Sequence, residues 1–269
     1  MANPLKTIIW KELRENLKWA VWALLVLTLA EIYALFQGRD RMQSYGNNVT
    51  LCGQAFLFVG LAGCALIGAG LGALQILPEL NRDRWAALLH RPVPRSTIFL
   101  GKVIAGLLLY LLATAAPLLV SVIYVAAPGQ FPAPFIPRMV LPAASNVAFG
   151  VVFYSLALLI SLLRGRWYGR RAILALSTVP LFLVQLSTRW IFLPPLGMSL
   201  IVLAAAYGVM LGNGSPSHHF RMARFSFVFV LVVGIESGLC LLSLALSGRE
   251  EKSPATLLMK TFPSGERTK

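Results

Sequence analysis

The sequence predicts an all-α integral membrane protein, a polytopic bundle of six or seven transmembrane helices. Of its 269 residues 57 % are hydrophobic and only 13 % charged, against roughly 25 % charged in a soluble domain. The apolar residues collect in blocks, several of them near the roughly 20 residues that a helix needs to cross the hydrocarbon core. The basic residues fall in short runs between those blocks, as orientation in a membrane requires. A span must satisfy its own backbone hydrogen bonds, so helices are the natural reading and a barrel is not. A soluble helical protein would need more polar faces than these blocks offer.

Residues 1–18 read as an amphipathic interfacial helix. Leu5, Ile9, Leu13 and Leu17 recur every fourth position, with Ile8 and Trp10 alongside, and Lys6, Lys11, Arg14 and Lys18 cover much of the remainder. Such a helix lies in the interface with its lysines toward anionic headgroups. The competing reading is a solvated start to the first span. No small-residue cleavage site follows, so a cleaved signal peptide is not expected.

The membrane region is expected over 19–247, ahead of a polar tail at 248–269. Its spans fall at about 19–36, 51–77, 97–127, 143–163, 172–187, 191–212 and 225–247. Residues 37–49 form the first external loop. The second block carries Gly60, Gly63, Gly68, Gly70 and Gly72, a face that lets another helix approach closely where lipid supplies no hydrophobic drive. Whether that neighbour belongs to this chain or to another subunit is open. Pro78 ends or kinks the second helix, and Pro117 can bend the long third one. A proline-rich loop with Arg138 as its sole base follows and is placed outside. Arg164, Arg166, Arg170 and Arg171 mark an internal loop after the fourth span.

Beyond that point two counts compete. The block at 172–187 is short and holds Pro180, and the next carries Pro194 and Pro195 near its start. Two spans there give seven in all, with His218, His219, Arg221 and Arg224 inside and the tail outside. One span plus a re-entrant piece gives six and an internal tail. The charge rule favours seven.

Net charge is +14, but without continuous basic grooves interleaved with aromatics a nucleic-acid partner is not expected. No catalytic constellation, metal-ligand set or cofactor motif is found. His218 and His219 are adjacent and His90 is the remaining histidine, too few for a zinc site. No phosphate-cradling glycine loop ending in Gly-Lys-Ser or Gly-Lys-Thr is present, so this chain is not expected to hydrolyse a nucleotide by that route. Cys52, Cys64 and Cys240 lie in or beside apolar blocks without ligand spacing and read as small buried hydrophobes. Trp19, Trp22, Tyr33, Trp85, Trp167, Tyr168 and Trp190 fall mostly near span ends, where amphipathic rings anchor. Glu236, well inside the last block, is a candidate for the substrate pathway or a helix contact, because an ionisable group in hydrocarbon faces protein or water. Gln54 is a second such candidate; Gln75 and Gln185 read as glue between helices, and Glu31 as a group able to reach the interface.

The segment between the second and third spans holds the densest chemistry. Residues 79–89 suffice for about three helical turns. Leu80, Trp85, Leu88 and Leu89 supply apolar contacts, while Glu79, Arg82, Asp83 and Arg84 stay polar. Pro92 and Pro94 impose an extended break, and Ser96 is placed to cap the next helix. Glu79, Arg84, Leu88, Leu89, then Arg91-Pro92-Val93-Pro94-Arg95 and Ile98-Phe99-Leu100-Gly101-Lys102, resemble the cytoplasmic loop of type 2 ATP-binding-cassette exporter permeases. There an acidic residue opens a short coupling helix, a Pro-Val pair with a following Arg closes it, and a Leu-Gly-Lys start leads into the third span. The stretch from Lys6 to Lys18 is similar to the elbow helix of that family. The likeness covers roughly the first 125 residues; the remainder is similar in hydropathy alone, and six spans are usual there.

The resemblance implies a permease subunit of a bacterial cytoplasmic (inner) membrane, multi-pass with its N-terminus cytoplasmic. It implies a separate cytoplasmic ATP-binding subunit as partner, a second permease chain, identical or related, and surrounding lipid. Glu79, Arg82, Asp83, Arg84, Leu88, Arg91 and Arg95 would then be the ATPase-coupling residues. The alternatives are a secondary transporter, using a buried charge such as Glu236 for ion coupling, and a non-transporting membrane assembly subunit.

Overall fold

Long apolar runs that cannot leave backbone groups unpaired in lipid become helices, and helices are what the chain forms. The computed structural model describes residues 4–45, 51, 54–77, 93–127, 135, 137–163 and 193–212. They contain α1 (Pro4–Tyr45), α2 (Gln54–Leu74), α3 (Arg95–Ala126), a 3-10 turn (Pro137–Val140), α4 (Leu141–Leu162) and α5 (Leu193–Gly212). Four helices are long and apolar enough to cross a membrane, over Pro4–Gln37, Ala55–Leu74, Arg95–Ala126 and Pro137–Leu162. The chain is a polytopic all-α membrane protein.

Six or seven spans do not survive this comparison. Among the described residues there are five α-helices and four candidate spans. A span needs apolar length as well as apolar composition. In α5 the apolar stretch is Pro195–Leu211, shorter than the other four. The blocks at 172–187 and 225–247, and the tail, lie outside the described residues, as does the coupling helix expected at 79–89.

α1 also departs from expectation. It runs unbroken for 42 residues, about 63 Å at 1.5 Å per residue, so the expected elbow helix and first span are one element. It continues through Arg39, Asp40 and Arg41, where a loop was expected. A single glycine, Gly38, costs a helix only about 1 kcal/mol, too little to end one this long. α3 starts at Arg95 with Pro94 as its N-cap and no side-chain cap, so Ser96 does not fill that role. Pro117 lies buried within α3 without ending it.

Contacts between named residues fix the topology. Glu12 of α1 meets Lys102 of α3 and Glu31 meets Ser121, each pair 90 positions apart, so α1 and α3 are parallel and in register. Cβ atoms built on Gly68 and Gly72 of α2 would run into the backbone of Gly150 and Tyr154 of α4, so these helices are parallel too. α2 is antiparallel to α3, since Gln75 bonds Lys102 and Cys64 bonds Tyr110. α5 is likewise antiparallel to α3, with Phe99 against Tyr207 at 5.5 Å between ring centroids and Arg95 on Leu211. One end of the bundle therefore gathers the start of α1, the end of α2, the start of α3 and the ends of α4 and α5. We call it the near end; the segment between Leu77 and Val93 leaves and re-enters there.

A large apolar cluster built around Leu61, Leu109, Tyr110, Val152, Tyr154, Leu159 and Val202 fills the bundle toward the near end. A smaller one of Ala34, Leu35, Leu51, Phe56, Leu118, Val125 and Ala143 closes the far end. α2 and α4 make the closest packing, and the glycine face of α2 explains it. Gly68 meets Gly150 with neither bearing a side chain, which lets the backbones approach, and small residues at such contacts are what holds helices together in lipid. The neighbour left open by the sequence is thus α4 of the same chain. Gly70 faces open space.

Gly68→Leu or Gly72→Leu is expected to force α2 and α4 apart, at about 1–3 kcal/mol or more, while Gly70→Leu leaves stability unchanged. Thermal unfolding midpoints of the three variants in detergent check this; equal midpoints would remove the α2–α4 contact from the account.

Candidate functional site

The most deeply buried stripe of α1 is not the leucine stripe. Leu17 is exposed, and the buried positions of the first five turns are Glu12, Asn16 and Ala20. In lipid the apolar side chains can stay outside, and polar groups gain by turning toward other helices. The side chain of Asn16 settles locally, donating Nδ2–H to the Glu12 carbonyl at 3.1 Å. Glu12 reaches across to α3.

There Lys102 Nζ donates to Glu12 Oε1 at 2.7 Å, with 3 % and 4 % of the two side chains exposed. The same ammonium donates to the Gln75 carbonyl at 3.3 Å, just past the end of α2. Carbonyls at a helix C-terminus lack intrahelical partners, and the negative end of the helix dipole favours a cation. The Gln75 side chain bridges onward: its Nε2 donates to the Lys102 carbonyl at 3.1 Å, and its Oε1 accepts from Tyr154 Oη–H of α4 at 2.7 Å. Gly106 of α3 makes the space, because a Cβ there would overlap the Tyr154 hydroxyl and the Gln75 amide. Four helices are thereby joined by one buried polar network at the near end.

Two further polar contacts stitch the remaining height. Tyr110 Oη–H donates to the Val147 carbonyl at 2.7 Å and Asn146 Nδ2–H to the Leu57 carbonyl at 3.0 Å. Toward the far end Ser121 Oγ–H donates to Glu31 Oε2 at 2.9 Å. Among the described residues no group of three or more metal-ligating side chains gathers.

Of the residues expected to couple to an ATPase or to line a pathway, Arg95 is the one whose side chain is described. It opens α3, is exposed, and donates Nη1–H to the Leu211 carbonyl near the end of α5 at 3.4 Å. Glu79, Arg82, Asp83, Arg84, Leu88, Arg91 and Glu236 lie outside the described residues. Gln54 begins α2, and its side chain is outside them as well. Gln75 does bridge helices. Glu12 and Tyr154 were not singled out, Lys102 entered only through the Leu-Gly-Lys pattern, and Glu31, read as reaching the interface, is 3 % exposed within the bundle. The signal for Glu12 was available: Glu12, Asn16 and Ala20 recur every fourth position, and in lipid a polar stripe marks the inside.

No protein-family model matches the chain, and searches of curated proteins and of solved structures likewise give no match.

Breaking the buried pair from one side, by Lys102→Met or Glu12→Leu, is expected to cost about 3–5 kcal/mol by stranding the other charge. The double variant should recover a substantial part of that loss, and Tyr154→Phe should cost about 1 kcal/mol. A double-mutant cycle on unfolding in detergent measures it, and additive losses would mean that the pair does not act as a unit.

Proposed function

We propose that the chain is the membrane-spanning permease subunit of an ATP-driven exporter of the type 2 ATP-binding-cassette class, working in a bacterial cytoplasmic membrane with its N-terminus cytoplasmic. Its multi-span all-α architecture is consistent with a transport-related membrane subunit, and the segment 79–95 supplies the resemblance. The observation that carries the reading is the buried network at the end of the bundle where that segment leaves and re-enters. Gln75 stands just before it and Lys102 just after it, and both are fastened to α1 and α4 through Glu12 and Tyr154.

In this reading a cytoplasmic ATPase subunit receives the segment through Glu79, Arg82, Asp83, Arg84, Leu88, Arg91 and Arg95. The chain itself is not an enzyme; ATP hydrolysis belongs to the partner. A second permease chain, identical or related, completes the pathway, with Glu236 and Gln54 as candidates for lining it. Force applied between Leu77 and Val93 enters α2 and α3 and is shared with α1 and α4 at once, since the network leaves none of the four free to slip. Energetic coupling needs contacts that differ between two states, and a stiff near end lets such differences build up elsewhere in the bundle.

Co-expression with the ATP-binding-cassette ATPase that this reading requires tests it. Retention of that ATPase on the tagged chain is expected to fall at least about tenfold, about 1.4 kcal/mol, in Glu79→Lys/Arg84→Glu, with membrane insertion unchanged. Unchanged retention and transport, or transport without any ATPase, would overturn the reading in favour of a secondary transporter or an assembly subunit.

A further inference from the structure

Glu12 and Glu31 lie on the same buried stripe of α1, each 3 % exposed, and each faces the residue 90 positions on in α3. They are nineteen residues apart, about 28 Å of helix at 1.5 Å per residue, close to the roughly 30 Å of the hydrocarbon core. Their partners differ in kind. Glu12 has the Lys102 ammonium, whereas Glu31 has the Ser121 hydroxyl, which gives one hydrogen bond and no charge.

The surroundings of Glu31 add none. Leu27, Ala34 and Leu35, on its own helix, are buried with it. Among the described residues the titratable group of α2 is that of Cys64, which stands with the Tyr110 hydroxyl of α3 around Gly150; neither is a base. Among those residues no basic side chain is paired with the carboxyl. An ionised carboxylate there would be a buried anion without a counter-charge, which costs several kcal/mol. Such a group is completed by a cation, and the one that needs no cavity is a proton.

We infer that Glu31 and Ser121 form a proton-binding site that gives up its proton when α1 and α3 part at the far end of the bundle and takes one back when they close. In the closed arrangement the proton is on Oε1 while Oε2 accepts from Ser121. On opening, the O–H bond at Oε1 breaks, its electron pair stays on the carboxylate, and water takes the proton as hydronium. On closing, hydronium returns it and the carboxyl is again neutral as lipid-facing helices seal over it. The inference rests on the pairing of α1 with α3 and not on the reading as an ATP-driven permease.

Infrared difference spectroscopy of the full chain in lipid nanodiscs, stepped through pH, tests it. A protonated-carboxyl carbonyl band is expected near neutral pH, lost in Glu31→Gln and moved to higher frequency in Ser121→Ala, where the carbonyl oxygen loses its donor. Should Glu31→Gln fail to insert, Glu31→Asp must shift the same band. A band unaffected by these substitutions overturns the proposal. So does the lack of any such band, which would mean an ionised Glu31 paired with a base outside the described residues.

Discussion

The bond between Lys102 and Glu12 constrains everything else at the near end. Removing two such ions from water costs several kcal/mol each, and attraction alone does not reliably offset that. The remaining polar capacity has to be used, and it is: the ammonium also takes the Gln75 carbonyl, and the Gln75 amide then spans from the α3 backbone to the Tyr154 hydroxyl. A network of this sort stabilises only when its members hold their positions together. Position matters more than net energy here. The network fixes where α2 ends and where α3 begins, and so the footing of the segment between them.

Close backbone approach does the complementary work. Lipid gives no hydrophobic reward for bringing helices together, so contact area must come from small residues. Gly68 against Gly150 lets α2 lie on α4, and a Cβ on Gly101 of α3 would run into Ile8 of α1. Gly106 belongs to both kinds of interaction, being the gap through which Tyr154 reaches Gln75. The two parallel pairs, α1 with α3 and α2 with α4, are thus closed by glycines and tied to each other by side chains that the glycines admit.

How much of this was legible follows from what each signal measures. Hydropathy reports the environment of a block, so it located the apolar cores of α1 to α4. It does not report where a helix stops: α1 passes through the charged stretch after Gln37 because nothing there forbids helix. The four-residue recurrence of Leu5, Ile9, Leu13 and Leu17 reads as a helix lying in the interface, whereas this stretch belongs to the bundle, and Glu12 and Asn16 mark its inside. Glycine spacing announced a close contact without naming its partner, since Gly150 lies a whole hairpin away in sequence. Lys102 was visible only as part of a pattern; its role depends on Glu12, 90 residues earlier, a pairing that no local reading can supply.

The seam between α1 and α3 shows why the two ends of the bundle should behave differently. The helices are parallel and in register over their shared length, but packing is heavier at the near end, where the larger apolar cluster lies and Gly101 meets Ile8. Polar contacts widen that difference. At the near end separation would strand two ions and unmake bonds to four helices. At the far end it would break one hydroxyl–carboxyl hydrogen bond, worth about 1 kcal/mol net, and open a small apolar cluster. A disturbance delivered at the stiff end is therefore relieved at the soft one. The chemistry that changes on opening is that of Glu31, which moves from a buried seam toward water, where its charge costs little.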